Sequence, residues 1–251
     1  MKSYINYKRM KMKRNVHIIL LVGLIFSLFT LSSIGQNVGD SHQTKLGFTT
    51  KIKSEILEDS LNIFTHLPFN YKKDKEFPLI VLLDPHAAFK AFASCTELMG
   101  YDGSIPLCIV VGVPQYKYVN YDSLHIEANM NLFAKFLDEE LLPYLNSKYN
   151  YTKTIIWGPG GPGMITSYFM LEYPDLFDGY IADIPDLNLI TNKTNSKNAF
   201  DKLKDKKVKY YLFGSKSKDI YNEDFLNNLK DNAPEGLEWN YSITEEPNKI
   251  I

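Results

Sequence analysis

TIIWGPGGPGMITSYFMLEYP, residues 154–174, decides the fold. Thr154 to Trp157 is β-branched and aromatic, four glycines and two prolines fill positions 158–163, and an apolar run then leads to Pro174. That order reads as strand, sharp turn, helix. Two motifs fit the turn. Gly158, Gly160 and Gly163 satisfy G-x-G-x-x-G, in which backbone N–H groups at a helix N-terminus hold a pyrophosphate. Gly158, Gly160 and Pro162 also fall where G-x-S-x-G, a nucleophile elbow, has Gly, Ser and Gly.

The residues around the turn choose between them. IIWGPGGPGMITSYFMLEYPDLFDGYIADIPDL, residues 155–187, resembles the enterochelin-esterase-like branch of the α/β-hydrolases. In that branch a strand ending in Gly-His-Ser-x-Gly-Gly leads into a helix, Pro-Asp-Leu-Phe, a short strand and a Ser-Pro turn. Upstream blocks are similar to the family's too: Leu67-Pro68 with Tyr71, then Leu82-Leu83-Asp84, the run LCIVVGV at 107–113, and Phe136 to Tyr144, FLDEELLPY. The resemblance spans Phe48 to Asn248. It implies an α/β fold of the α/β-hydrolase type: a mainly parallel sheet with helices on both faces, an antiparallel N-terminal hairpin, and here no final helix.

Ester hydrolysis on this fold needs a serine on a strained turn, then an acid, then a histidine, in that chain order. In the register of the resemblance the serine position is Gly160, the acid is Asp219 and the histidine position is Asn248. A glycine has no hydroxyl, and an asparagine amide does not titrate. The oxyanion donors implied are the N–H of Gly161 and, because Pro85 has none, that of His86. His86 and His125 are the histidines expected within reach of a cleft, but neither accompanies a recognisable nucleophile. Ser167 and Cys95 fall inside expected helices.

Three readings follow. The chain is a catalytically silent member that holds a small acyl-ester or siderophore-like ligand, an esterase with an unrecognised nucleophile, or a partner-binding protein. The dinucleotide reading has an acid at the right place, Asp183, but Pro159 and Pro162 remove donors from the loop that must cradle phosphate. No nucleotide cofactor, other cofactor or metal is expected.

At the N-terminus, Lys8, Arg9, Lys11, Lys13 and Arg14 precede an uncharged run from Val16 to Leu31, and Ser33-Ile34-Gly35 offers small residues. This is the pattern of a secretory signal peptide cleaved after Gly35. The expected organisation is signal peptide 1–35, disordered linker 36–46 and one α/β-hydrolase-like domain 47–251, in an exported protein, periplasmic or extracellular. Membrane contact is expected only through an uncleaved anchor, for which 16 apolar residues are short. Residues 36–251 contain 22 lysines, 29 acids and no arginine, so the net charge of that part is −7 and a nucleic-acid partner is excluded. Cys95 and Cys108 lack metal or redox spacing and are expected as buried free thiols.

Along the chain the patterning predicts a hairpin over 48–57 and 60–67, strands at 78–84 and 107–113, and helices over 87–99 and 129–148. Beyond the turn it predicts a strand at 179–183, a helical stretch near 195–207, a strand at 208–213, a helix over 219–231 and a last strand at 237–244.

Overall fold

The computed structural model describes residues 45–120, 124–215 and 223–244. Eight strands form one sheet: β1 (Phe48–Ser54), β2 (Asp59–His66), β3 (Phe77–Leu83), β4 (Ile109–Val113), β5 (Tyr151–Pro159), β6 (Gly179–Asp183), β7 (Val208–Ser215) and β8 (Leu237–Thr244). Their order is β1-β2-β4-β3-β5-β6-β7-β8. β1 and β2 form an antiparallel hairpin, β2 joins β4 antiparallel, and every pairing from β4 to β8 is parallel. The fold is that of an α/β-hydrolase.

β3 and β4 are continuous apolar runs because both of their faces are covered. Leu79, Val81 and Leu83 of β3 enter one core with Val111, Ile156, Phe133 and Phe169, whereas Leu82 faces the other side with Val110 and Phe89. That smaller side is covered by α1 (Pro85–Tyr101), whose Phe92 ring lies 4.7 Å from the Trp157 ring. The larger core lies under α2 (Ile126–Phe136), its continuation through a π-helical turn (Leu137–Leu141) into α3 (Leu142–Lys148), α4 (Gly161–Glu172), a short α5 (Thr191–Thr194) and α6 (Glu223–Asn232). Every residue of α4 from Pro162 to Leu171 is buried, as a helix apolar on all sides requires. On the α1 side, Ile155, Trp157, Ile181, Tyr211 and Phe213 keep partial exposure. Among the described residues no helix is long and apolar enough to cross a membrane.

Four expectations are corrected. The first helix starts at Pro85, not Ala87, because a proline with no N–H to lose fits the first helical position. The helix expected from Asn129 starts at Ile126. The stretch 195–207 is not a helix: Asn228 Nδ2 takes the carbonyls of Thr194 (2.6 Å) and Ser196 (3.2 Å) that a continuing α5 would use, and only a 3₁₀ turn, Asp201–Leu203, follows. Cys95 is exposed on α1, although Cys108 is buried. The seventeen residues of α1 turn through all directions, and Cys95 falls on the side away from the sheet.

One residue of the FLDEELLPY block ties a helix to the hairpin. Glu140 Oε1 accepts the N–H groups of Glu55 (3.0 Å) and Ile56 (3.1 Å), which the β1–β2 turn leaves without strand partners. Its neighbour Glu139 is exposed and, among the described residues, reaches Lys135 across 3.8 Å. Glu140→Ala is expected to lower unfolding free energy by about 1–3 kcal/mol, as stranded donors cost. Glu139→Ala is expected to change it by less than about 0.5 kcal/mol. Urea denaturation of both variants measures the contrast.

Candidate functional site

β3, β5 and β6 run parallel and end together, in the register Leu82 with Trp157 and Pro159 with Asp183. Their carboxyl ends form one edge, and the chain leaves it through three residues at positive φ. Asp84 after β3 has φ 56° and ψ 55°, Gly160 after β5 has φ 58° and ψ −124°, and Ile184 after β6 has φ 50°. Such values are uncommon outside glycine and costly for a β-branched side chain, and strain of this kind collects at functional sites.

The turn after β5 explains its own glycines. A Cβ at Gly158 would strike the Pro162 carbonyl, and one at Gly163 would lie 2.8 Å from the Gly158 oxygen, so these two let strand and helix approach closely. Gly160 is different: a Cβ there would meet nothing within 4 Å, and only its backbone angles ask for glycine. The bend is fastened on both sides. Gly160 N–H donates to the Asp183 carbonyl at 2.7 Å, and Gly163 N–H donates to the Gly160 carbonyl at 2.9 Å. Gly161 is the first residue of α4 and Pro162 follows it, so the Gly161 N–H heads the helix as one of its unpaired donors.

β3 enters α1 through Asp84 alone, with no loop between strand and helix. Asp84 N–H donates to Gln115 Oε1 at 2.8 Å, and Ala88 N–H returns to the Asp84 carbonyl at 3.2 Å. His86 therefore lies in the first turn of α1, where backbone N–H groups have no intrahelical acceptor. Its ring is exposed and meets Phe64 edge-on at 5.3 Å. Gln115 is fully buried, and its Nε2 has no hydrogen-bond partner among the described residues. The sequence reading passed over Gln115, since a single glutamine after a strand carries no pattern.

Asp183 is half-buried beside the bend, and burial holds its carboxyl above the usual aspartate range. Asp219 and Asn248 lie outside the described residues. His125 is the N-cap of α2, and His66 sits at the opposite edge of the sheet. Ser167 and Cys108 are both withdrawn from this edge into the core. Ser167 Oγ donates to the Gly163 carbonyl at 3.0 Å and shares a 2.8 Å bond with Tyr210, wholly inside the core. Burial pushes the Cys108 thiol up to about 11, which keeps it protonated. Among the described residues no group of three or more His, Cys, Asp or Glu is placed to hold a metal ion. A surface cavity of about 660 Å³ beside Asn131 and Tyr173 lies past the far end of α4, some ~18 Å from Gly160 by helix rise.

Comparison with known proteins agrees with the fold. The sequence profile of the family described as "Putative esterase" matches residues 54–206. Uncharacterized protein YjcH of Bacillus subtilis is 25% identical over 186 residues, covering 69% of this chain and 75% of its own. An uncharacterised protein of Capnocytophaga ochracea superposes with TM-score 0.66 at 22% identity over 80% of this chain, which spans 59% of that protein's length. The siderophore hydrolase EstB of Aspergillus nidulans superposes with TM-score 0.64 at 13% identity, covering 84% of this chain and 92% of its own.

The turn yields two predictions. Gly160→Ser places its side chain in open space and is expected to cost only the positive-φ strain, about 1–3 kcal/mol. Gly158→Ala is expected to cost more, because its methyl meets backbone that α4 cannot withdraw. Denaturant titration separates the two. For Asp183, the folded protein holds the carboxyl proton more tightly than the unfolded chain. Its contribution is therefore favourable below the unfolded-chain value near ~3.9 and is lost as pH rises through the higher folded value. Asp183→Asn is expected to raise the melting temperature at pH ~7 and to give no gain at pH ~3, read by paired thermal scans.

Proposed function

The chain belongs to the esterase family described as "Putative esterase", and on that premise we propose that it is an exported, catalytically silent member that binds a small acyl-ester ligand at the carboxyl edge. One observation carries the reading. The bend at Gly160 keeps a backbone that can present a side chain into open space, yet the residue supplies only hydrogen. With Asn248 where the resemblance asks for histidine, neither the acyl acceptor nor the general base of a serine esterase is present.

What the edge retains suits recognition. First-turn N–H groups at Gly161 and His86 head α4 and α1, and neither helix has an acidic residue in its first turn to occupy them. A carbonyl oxygen is the acceptor such donors take. EstB, a siderophore hydrolase by name, makes a siderophore-like ester one ligand to try. Export rests on the bases and apolar run of residues 8–31. An active esterase would need another nucleophile, and Ser167 and Cys108 are withdrawn into the core.

The purified chain is expected to take no covalent label from a fluorophosphonate probe, whereas methyl ferulate, a small aryl ester, is expected to raise its melting temperature. Slow turnover of an activated ester decides nothing, because an oxyanion site alone gives roughly 10³- to 10⁴-fold over water. Stoichiometric phosphonylation at any serine would overturn the silent reading.

A further inference from the structure

We propose that the cavity between α2 and the far end of α4 is a binding site for a neutral polyhydroxylated ligand, a short saccharide. Its volume of about 660 Å³ falls within the roughly 300–1,000 Å³ of small-molecule sites. One wall is a stripe of α2 and of the π-helical turn that follows it: Asn131, Ala134, Lys135 and Asp138, at i, i+3, i+4 and i+7. The other wall is the end of α4 with the turn after it, Glu172 to Leu176, and Lys202 lines the cavity with them.

The walls are joined by one amide. Asn131 Oδ1 accepts the Tyr168 hydroxyl at 2.7 Å and the Tyr173 hydroxyl at 2.9 Å, so α4 occupies the oxygen and fixes the plane of the amide. Its Nδ2 has no partner among the described residues and is left as the open end of that amide. Farther along the same stripe, the exposed Asp138 carboxylate also lacks a partner among the described residues. The wall therefore offers a group that only donates and a group that only accepts, set ~10 Å apart by helix rise.

The other charges of the cavity are already paired. Glu172 takes Lys202 at 2.6 Å and Lys193 at 3.2 Å, Asp175 takes Lys206 at 2.7 Å, and Glu139 faces Lys135 at 3.8 Å. A cation answers Asp138 but leaves the Asn131 donors idle, and a single exposed carboxylate holds it weakly. An anion answers Asn131 and is repelled by Asp138. A hydroxyl gives and accepts at one atom and can turn to meet either, so a neutral ligand carrying several of them suits both. Between the two polar groups, Ala134 and the half-buried Tyr173 and Leu176 supply apolar surface for the C–H face of a sugar ring.

Nuclear magnetic resonance of the ¹⁵N-labelled chain titrated with cellobiose and with maltose tests this. At least one of the two is expected to move the Asn131 side-chain amide and the backbone amides of 131–139 and 172–176, with those around Gly160 unchanged. The affinity is expected to stay the same between about 0.05 and 0.5 M salt, as no charge pair forms. Asn131→Asp keeps an oxygen for both tyrosines but loses the donor, and Asp138→Ala removes an exposed side chain that the fold does not use. Each is expected to weaken binding at least about fivefold. Asp138→Ala is expected to leave stability unchanged, so it serves alone should Asn131→Asp fail to fold. No shift with either sugar, or shifts that persist in Asp138→Ala, overturns the proposal. Tighter binding of spermidine, citrate or glycylglycine amide than of both sugars also overturns it.

Discussion

The close approach of β5 to α4 governs the rest of the structure. The Gly158 oxygen and the Gly163 Cα are near enough to leave no room for a methyl, and the chain must reverse between them within a few residues. The chain does this by a bend through positive φ at residue 160, and the 2.7 Å bond from Gly160 to the Asp183 carbonyl locks the bend to the neighbouring strand. From there α4 runs wholly buried through the core, bonded through Ser167 to Tyr210 of β7. The turn is thus a structural requirement of the fold before it is a catalytic device. Glycine at 160 suits that requirement: it carries less strain at positive φ than a serine would, and the surrounding packing leaves the position open.

Much of this was legible in the sequence, for identifiable reasons. PLIVLL and LCIVVGV read as buried parallel strands because two covered faces leave no alternation to disguise them. Pro162 and the glycines marked the turn because their backbone limits act locally. What the sequence hid depends on distant partners. The lysine-rich stretch near Asn195 has helical composition, yet Asn228 of another element takes its carbonyls. The start of α1 at Pro85 follows from a left-handed Asp84 whose N–H is held by Gln115, 31 residues away. Exposure of Cys95 was equally hidden, since a helix of alanine, serine and phenylalanine does not announce which side faces the sheet.

The candidate site was half visible. Gly160 and Gly161 were found from motif spacing, whereas Asp183, Ile184 and Gln115 became part of the site only through strand register and backbone angles. Spacing alone sets Asp183 as the acid of a dinucleotide reading, 20 residues after Gly163. Its actual place is beside the bend, where burial favours its neutral form.

Strain also bears on whether the edge is a relic. Glycine at 160 removes the cost of a positive φ at that one position, but Asp84 and Ile184 keep theirs on the strands to either side. For a β-branched residue that cost is of order 1–3 kcal/mol. It is a sizeable share of a domain's stability of about 5–15 kcal/mol. Ile184 is nevertheless held there, its N–H donating to the Phe213 carbonyl at 2.9 Å. A surface with nothing to position would gain by exchanging Ile184 for glycine or asparagine, either of which adopts this backbone at less cost. A rim that stays strained on both sides of Gly160 fits the ligand-holding reading proposed above better than one of a surface drifting toward disuse.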